Sequence, residues 1–490
     1  MLPPEHYLDL AAGKFNLTSA GDLAQLFVAI RRSPAKDHLV IHFHGGLVSR
    51  ATAELAAEGL MPSYIAGGAY PVFFFWRSDL WTTLSKNLDE IAQEPVFKRL
   101  VKRMVQLALS KLKDYTGARS GGPLPLISEE ALPDDPTSLA EYTASREPDN
   151  AKVAGVALTE MQIDQVETEL ETDEVLQIES SAIAEWVAPV STDPNVIARA
   201  GSGVPVAPRP TLMSQKVRDE LAKEQSKPGA RAGLFTAAVL VKHAIVILKR
   251  VIERFAHRRD HGLYTTIVEE VLRELYFDSL GALAWVLMKN DTRDAFGSDV
   301  QVFGGTAFLA ELKKWWQPGY RLTLVGHSTG AIYIGNFLEH GDALLDPGVK
   351  FDVVFLAPAC SFEFMATKLS VFERRVDRII VFGLKDERER GYWEVPALYP
   401  ASLLYLVSGL FEEPTVDMPL VGMQRYFSGA EPYTNPEIAA VAKYLRQKCI
   451  WALAEGAPGP NCGAARHGGF DADPITRASL TEFLKRAGGS

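Results

Sequence analysis

The sequence predicts an α/β protein, because short apolar runs typical of buried strands alternate with helical stretches. The strand-like runs include residues 38–43, 70–76 and 378–384, which are rich in β-branched and aromatic side chains. A helical stretch at 20–32 precedes the first of them. In residues 321–339 an apolar run passes through a tight turn directly into a helical run. We therefore expect buried strands flanked by helices.

The tight turn reads Gly326-His327-Ser328-Thr329-Gly330 and matches the pattern G-x-S-x-G. Between a buried strand and a helix, this pattern is typical of a serine held at a sharp bend with its hydroxyl exposed. A Cβ at either flanking glycine is expected to collide with the neighbouring strand or helix. We predict Ser328 as a nucleophile. The alternative is an ordinary glycine-rich turn with an idle serine.

A serine hydroxyl needs a base to remove its proton, and histidine is the usual one. Only two histidines follow Ser328 in the chain. His340 lies on the predicted helix, roughly 18 Å away at about 1.5 Å per residue, which is too far for contact. His467 remains, and the glycines after it suit a loop that presents a side chain. We therefore predict His467 as the general base.

The carboxylate that orients this histidine is expected after a strand between nucleophile and base. The strand-like run 378–384 is followed by Lys385 and then by an acidic pair. We predict Asp386 as the orienting acid and Glu387 as the fallback, with a solvated charged turn as the alternative. The strand predicted at 352–358 offers no acid before Glu363.

The apolar run 38–43 leads into a His-Gly-Gly sequence that can serve acyl transfer. Attack on a carbonyl group places negative charge on its oxygen, which backbone N–H groups stabilise. We predict the amide of Thr329 as one donor and that of Gly46 or Leu47 as the other. Gly45 belongs to the same predicted loop, where glycine lets the backbone approach the substrate closely.

Four further side chains are predicted to contact the substrate, because they stand at strand ends beside the nucleophile and the predicted oxyanion donors: His44, His327, Trp76 and Arg77. Packing against the inserted region is the alternative for Trp76 and Arg77.

Together these motifs resemble the α/β-hydrolase superfamily. The His-Gly-Gly sequence resembles its oxyanion loop and the G-x-S-x-G turn resembles its nucleophile elbow, while Asp386 and His467 fall where its acid and base would lie. The resemblance covers roughly residues 35–80 and 265–490. It implies a mostly parallel central sheet flanked by helices, with the active site at the carboxyl ends of the strands and an esterase-like or lipase-like activity. Because this family hosts many reactions and some non-catalytic members, the resemblance does not identify a substrate.

The chain has 490 residues, of which 47% are hydrophobic, so we expect a large core with an elaborate insertion. We predict core parts at 1–81 and 263–490 and a mainly helical insertion at 82–262. Residues 121–200 hold 17 acidic against 3 basic side chains. This composition predicts an irregular acidic segment at about 120–210, favoured as a solvated spacer over a cover of the active-site mouth.

Composition also narrows the partners. The net charge of −10 argues against nucleic-acid binding, and no glycine pattern for a nucleotide is present, so we predict no cofactor. Three scattered cysteines and an N-terminal sequence without an apolar leader favour a cytoplasmic location. The apolar run 233–248 with its basic flank to 259 is expected to be a buried helix. A peripheral membrane contact through 233–259 is the alternative.

We therefore expect hydrolysis of a carboxylic ester, with a small-molecule or lipid-like acyl substrate. Thioesterase, amidase and peptidase activities on the same triad are alternatives. His42 and His44 lie on one face of a strand, so a metal-dependent hydrolase is a further alternative, although the predicted site contains no metal. The last alternative is a non-catalytic interaction protein on the same scaffold. The oligomeric state stays open.

Overall fold

In the computed structural model, the chain folds into two compact units. The sheet unit comprises Met1–Thr83, Ala282–Tyr392 and Ala401–Ser490, and the helical unit comprises Leu84–Gly281 and Trp393–Pro400. The insertion predicted at 82–262 covers most of the helical unit, which continues to Gly281. The residues that the structure describes are 2–46, 48–76, 80–114, 127–147, 153, 155–178, 212–225, 232–277, 282–412, 416–454 and 459–485.

The sheet unit contains eight strands in the order β2-β1-β4-β3-β5-β6-β7-β8. All neighbours are parallel except the antiparallel pair β1 and β2. The strands are β1 (Tyr7–Ala11), β2 (Lys14–Phe15), β3 (His38–Phe43), β4 (Tyr70–Trp76), β5 (Arg321–His327), β6 (Phe351–Leu356), β7 (Val376–Leu384) and β8 (Cys449–Ala452).

Helices flank this sheet, which confirms the α/β class and the mostly parallel sheet. The strands β3, β4 and β6 are buried along their whole length, as expected for parallel strands covered by helices on both faces. The helices of the sheet unit are Ala20–Arg32, Arg50–Ala66, Ala282–Asp294, Gly304–Trp315, Gly330–Leu344, Phe362–Arg375, Asp386–Arg390, Leu403–Leu406, Pro436–Leu445 and Pro474–Lys485.

Several elements differ from the sequence-based expectation at their ends. The sequence predicts one helix over 436–454, but the helix ends at Leu445 and β8 follows, because Ile450 and Trp451 pair with β7 at the sheet edge. The sequence also predicts one helix over 264–288, whereas the structure has two helices there, Leu263–Tyr276 and Ala282–Asp294. The edge strands β1 and β2 were not predicted. Such short strands depend on pairing with distant segments, which the sequence pattern does not reveal.

Among the described residues of the helical unit, the regular secondary structure consists of helices. The sequence predicts one helix over 87–115, but the structure has two helices there. Proline at position 95 cannot continue the first helix and suits the first turn of the second. The elements are Leu80–Gln93, which begins in the sheet unit, then Pro95–Asp114, Pro136–Ala144, Glu160–Glu171, Gln215–Gln225, Ala232–Ala256 and Leu263–Tyr276.

The apolar run after residue 232 forms the helix Ala232–Ala256, and most of its apolar side chains from residue 237 onward are buried. Leu240, Ile247 and Val251 are fully buried, and the helix that carries them packs against four other helices of that unit. Among the described residues, no helix combines the length and apolar character needed to cross a membrane. Of the acidic segment predicted at 120–210, the structure describes 127–147, 153 and 155–178, and the remainder lies outside the described residues.

A buried ionic cluster joins the segment Trp393–Pro400 to the rest of the helical unit. Glu269 accepts hydrogen bonds from His261 at 2.8 Å and from the Tyr399 hydroxyl at 2.5 Å, and it pairs with Arg254 at 2.6 Å. Burial raises the pKa of Glu269, but the charges of His261 and Arg254 outweigh it and lower the pKa to about 2. The carboxylate therefore stays ionised.

Candidate active site

The proposed nucleophile lies in the turn between β5 and the helix Gly330–Leu344. The backbone of Ser328 has a φ of +52°, in the left-handed region that non-glycine residues rarely adopt. Its amide donates to the Leu356 carbonyl oxygen at 2.8 Å, and its own carbonyl accepts from the Ala359 amide at 3.0 Å. Such strain persists only where surrounding contacts hold it, and it clusters at functional sites.

The two flanking glycines permit this turn, as the sequence predicts. A Cβ on Gly326 would lie 2.7 Å from the carbonyl group of Gly330, at the start of the helix. A Cβ on Gly330 would overlap the carbonyl oxygen of Phe43 in the neighbouring strand β3. The tight corner therefore needs glycine at both positions.

His467 lies against this serine. The distance from its Nε2 atom to the Ser328 Oγ atom is 3.0 Å, within hydrogen-bonding range. His467 begins a single 3-10 turn, His467–Gly469, that follows β8 in the chain. Both side chains are buried, with 3% of His467 and 5% of Ser328 exposed. The structure thus brings together the two residues predicted from the sequence as nucleophile and base.

The environment keeps His467 uncharged. Burial and the nearby charge of His327 lower the pKa of His467 to about 3, although the Asp471 carboxylate acts in the opposite direction. A neutral imidazole has one N–H, so if Nε2 accepts the serine proton, Nδ1 must carry the hydrogen. The Nδ1 atom of His467 is buried and has no hydrogen-bond partner among the described residues.

The structure does not bring Asp386 into contact with His467. One carboxylate oxygen of Asp386 accepts a hydrogen bond from the Tyr405 hydroxyl at 2.6 Å, and its amide donates to Gln424 at 3.1 Å. Asp386 does follow β7, as expected, but it begins a short helix and is tied to Tyr405 instead. The hydrogen bond predicted between Asp386 and His467 is therefore not made in this structure, and the catalytic role predicted for Asp386 stays a prediction. The fallback Glu387 is exposed.

Another carboxylate, Asp471, lies close to the histidines of the site. Its Oδ2 atom is 2.8 Å from the Nδ1 atom of His327, and its backbone carbonyl accepts from Arg477 at 2.6 Å. Its Oδ1 atom is buried without a hydrogen-bond partner among the described residues. Burial raises the pKa of Asp471, but the charge of His327 and the hydrogen bond from it outweigh this and lower the pKa to about 2.

Sequence reasoning missed Asp471 because it sought the acid between nucleophile and base. Asp471 stands four residues after His467, in the same short stretch of the chain. That proximity was a usable signal, since residues four apart in a compact turn can approach each other.

His327 bridges two acceptors rather than facing an open pocket. Its Nδ1 atom meets Asp471, and its Nε2 atom is 3.1 Å from the carbonyl oxygen of His467. Burial lowers the pKa of His327, but the Asp471 carboxylate and the two hydrogen bonds raise it above its usual value. His327 therefore forms an ion pair with Asp471, and the substrate contact predicted for His327 stays a prediction.

The loop after β3 runs directly against the nucleophile turn. A Cβ on Gly45 would lie 3.3 Å from the Cβ of Ser328. The Gly46 amide donates to the Thr329 hydroxyl oxygen at 2.9 Å, so this predicted oxyanion donor already has an acceptor. Thr329 is the N-cap of the helix Gly330–Leu344, here called the elbow helix, and amides at this end lack intrahelical partners. Leu47, the alternative donor, lies outside the described residues.

His44 and Trp76 stack on each other at the ends of β3 and β4, with ring centroids 5.3 Å apart. The His44 Nδ1–H donates to the Gly45 carbonyl at 2.6 Å, and its Nε2 accepts from the Trp76 amide at 3.2 Å. Burial lowers the pKa of His44 to about 4. Both side chains are buried here, so their predicted substrate contacts stay predictions. Arg77 lies outside the described residues.

The structure gives no support to the metal alternative based on His42 and His44. The Nδ1 atom of His42 is 2.8 Å from the Tyr64 hydroxyl, and both ring nitrogens of His44 contact backbone atoms. Within the described ranges, no group of three or more histidine, cysteine, aspartate or glutamate side chains is arranged to hold a metal ion.

Comparison with known proteins adds nothing to this geometry. No protein-family model, no curated protein and no solved structure matches this chain.

Proposed function

We propose that this protein is a serine hydrolase that cleaves a carboxylic ester through an acyl-enzyme intermediate. The observation that carries the proposal is the 3.0 Å approach of His467 Nε2 to the hydroxyl of a serine at φ +52°. A neutral histidine nitrogen within hydrogen-bonding distance of a hydroxyl at a strained strand-to-helix turn is the arrangement that nucleophilic catalysis requires. The α/β sheet and the position of this turn after β5 support an α/β-hydrolase origin.

The chemistry follows from this pair. The Ser328 oxygen attacks the ester carbonyl carbon while His467 Nε2 takes the hydroxyl proton. The resulting imidazolium gives that proton to the alcohol oxygen as the C–O bond breaks, leaving the acyl group on Ser328. A water molecule then attacks the acyl carbon, His467 takes the water proton, and the proton returns to Ser328 as the acid product leaves.

Negative charge on the carbonyl oxygen is stabilised at the start of the elbow helix. The Thr329 amide stands at this N-terminus, where the helix dipole also favours an anion. Gly46 contributes by fixing the loop beside the nucleophile through its bond to the Thr329 hydroxyl. A carbonyl oxygen arriving beside Thr329 can compete for the Gly46 amide, which lies in the same loop.

Asp471 replaces Asp386 as the carboxylate of the proposed mechanism. During the reaction His467 becomes positively charged, and an anion nearby stabilises that form. The Asp471 charge raises the pKa of His467, whereas Asp386 is bound to Tyr405. This assignment gives the chain order Ser, His, Asp, which departs from the order in the resembled family.

A panel of p-nitrophenyl esters of graded chain length tests the proposal. We expect turnover by the wild-type protein and its near-complete loss in Ser328→Ala and in His467→Ala. The double variant should be little worse than either single one, because the two residues act as a unit. Ester turnover that persists in Ser328→Ala would contradict the proposal.

Substrates with other scissile bonds test the alternative activities. If no ester is turned over, matched thioester, amide and peptide substrates decide whether the same residues serve a different acyl transfer. A decline in rate with chain length would count against a lipid substrate.

A further inference from the structure

The loop that carries the base is fastened to the strand that carries the nucleophile through one side chain. His327 is the last residue of β5 and directly precedes Ser328. One of its ring nitrogens lies 2.8 Å from the Asp471 carboxylate and the other lies 3.1 Å from the His467 carbonyl oxygen. His327 thus contacts both ends of the segment 467–471.

This contact pattern fixes the protonation state of His327. A carboxylate and a carbonyl oxygen can only accept hydrogen bonds, so both ring nitrogens of His327 must donate. A histidine that donates from both nitrogens is an imidazolium. The side chain is buried, and the ion pair with Asp471 compensates for the burial of its charge.

We propose that His327 is a positioning residue that, only while doubly protonated, holds the His467 loop in the catalytic geometry. This inference rests on the proposed function of Ser328 and His467. Loss of the second proton leaves one N–H for two acceptors, so either Asp471 or the His467 carbonyl then faces a lone pair. The repulsion releases one end of the loop and moves His467 Nε2 away from the serine.

The groups around His327 support this assignment. Its charged and titratable neighbours are Asp471, His467, His42 and His44, while Arg477 holds the Asp471 backbone. Burial lowers the pKa of His42 and of His44 to about 4, so both are neutral near pH 7. Asp471 therefore has His327 as its charged histidine partner in this pH range.

The sign of the pH dependence follows. The pKa of His327 is raised in the folded protein, so the bridge is complete below the usual value near 6.5 and is lost as the pH rises through the raised pKa. His467 has its own pKa lowered to about 3, so it does not limit the reaction near neutrality. Activity is therefore expected to fall on the alkaline side through His327.

The test is the rate at which a fluorophosphonate probe labels Ser328, measured from pH 5 to 10. For the wild-type protein we expect a plateau and then a fall of roughly tenfold per pH unit above the His327 pKa. His327→Asn and His327→Gln carry amides that do not titrate. Both should label about 10- to 100-fold more slowly on the plateau, because the base is misplaced, and should lack the alkaline fall.

Thermal unfolding of both variants verifies that they are folded, and a merely structural role for His327 would leave the shape of the pH profile unchanged. An alkaline fall that persists in both variants overturns the inference and leaves the proposed function intact. Absence of labelling in the wild-type protein at every pH contradicts the proposed function instead.

The charge on His327 is then decided independently by nitrogen-15 NMR of the histidine side chains. Two protonated ring nitrogens at pH 7 support the bridge, and a neutral imidazole refutes it.

Discussion

Two carboxylates follow the last two strands of the sheet, and their partners differ. Asp386, after β7, accepts a hydrogen bond from the Tyr405 hydroxyl. The guanidinium group of Arg425 donates to the same hydroxyl oxygen at 3.4 Å and lies over the rings of three tyrosines. Asp471, in the loop after β8, meets His327, which in turn contacts the backbone of His467. One region is a phenol and guanidinium network, and the other is a cluster of imidazoles.

The difference shows that position at a strand end does not by itself decide which side chain a carboxylate contacts. Asp386 has the expected place in the chain, but its carboxylate accepts a hydrogen bond from the hydroxyl of Tyr405, which stays protonated. Burial raises the pKa of Tyr405 further, so its hydroxyl remains a donor to Asp386. Asp471 is distinguished by the charged histidine beside it.

Substituting the two carboxylates one at a time should give the largest contrast. We expect Asp471→Asn to lower kcat/KM by at least about 100-fold, because the anion that supports the His467 imidazolium and holds His327 charged is removed. Asp386→Asn is the matched control and should change kcat/KM by less than about threefold, since an amide oxygen can still accept from Tyr405. Ester hydrolysis by both purified variants measures this.

A larger loss of kcat/KM in Asp386→Asn than in Asp471→Asn would contradict the proposed role of Asp471. Activity lost in Asp386→Asn and kept in Asp471→Asn would return Asp386 to the catalytic role that the sequence predicts.

The sequence predicted the parts of this site that depend on local pattern. The strands 38–43 and 70–76, the turn at Ser328 and the glycines beside it follow from apolar runs and steric requirements within a few residues. His467 followed from elimination among few histidines. The partners of Asp386 and Asp471 depend on which side chains meet across the fold, and no local pattern encodes this.

The acid dependence of stability tests the buried histidines of the sheet unit next. Burial lowers the pKa of His38 and of His467 to about 3, and that of His42 and of His44 to about 4. Below pH 6.5 the unfolded chain binds protons that the folded protein excludes. Each such histidine should lower the free energy of unfolding by up to about 1.4 kcal/mol per pH unit as the pH falls toward its folded pKa.

Urea unfolding between pH 7 and 4.5 measures this slope. His38→Gln is the control, because glutamine can keep a hydrogen bond to Thr323 but does not titrate. The free energy of unfolding of this variant should therefore depend less steeply on pH, by the contribution of one histidine. A free energy of unfolding that stays constant across this range would mean that these histidines are protonated in the fold.

The tyrosine network around Asp386 should affect stability and leave catalysis unchanged. Tyr405→Phe removes the hydroxyl that Asp386 accepts from, so the half-buried carboxylate loses a partner. We expect the free energy of unfolding to fall by about 1–3 kcal/mol, with kcat/KM kept within about threefold. Denaturant unfolding and ester hydrolysis on the same preparation measure both quantities, and a catalytic loss without destabilisation would link Asp386 to the reaction.

The most direct test of the central claim is the site at which a fluorophosphonate reacts with the folded wild-type protein. The reaction joins phosphorus to a serine oxygen and releases fluoride, which requires an activated hydroxyl. We predict one adduct per chain, mapped by mass spectrometry to the peptide that contains Ser328. It should be absent in Ser328→Ala and at least about 100-fold slower to form in His467→Ala. An adduct on another residue, or none in the folded protein, would contradict the assignment of Ser328 as a nucleophile activated by His467.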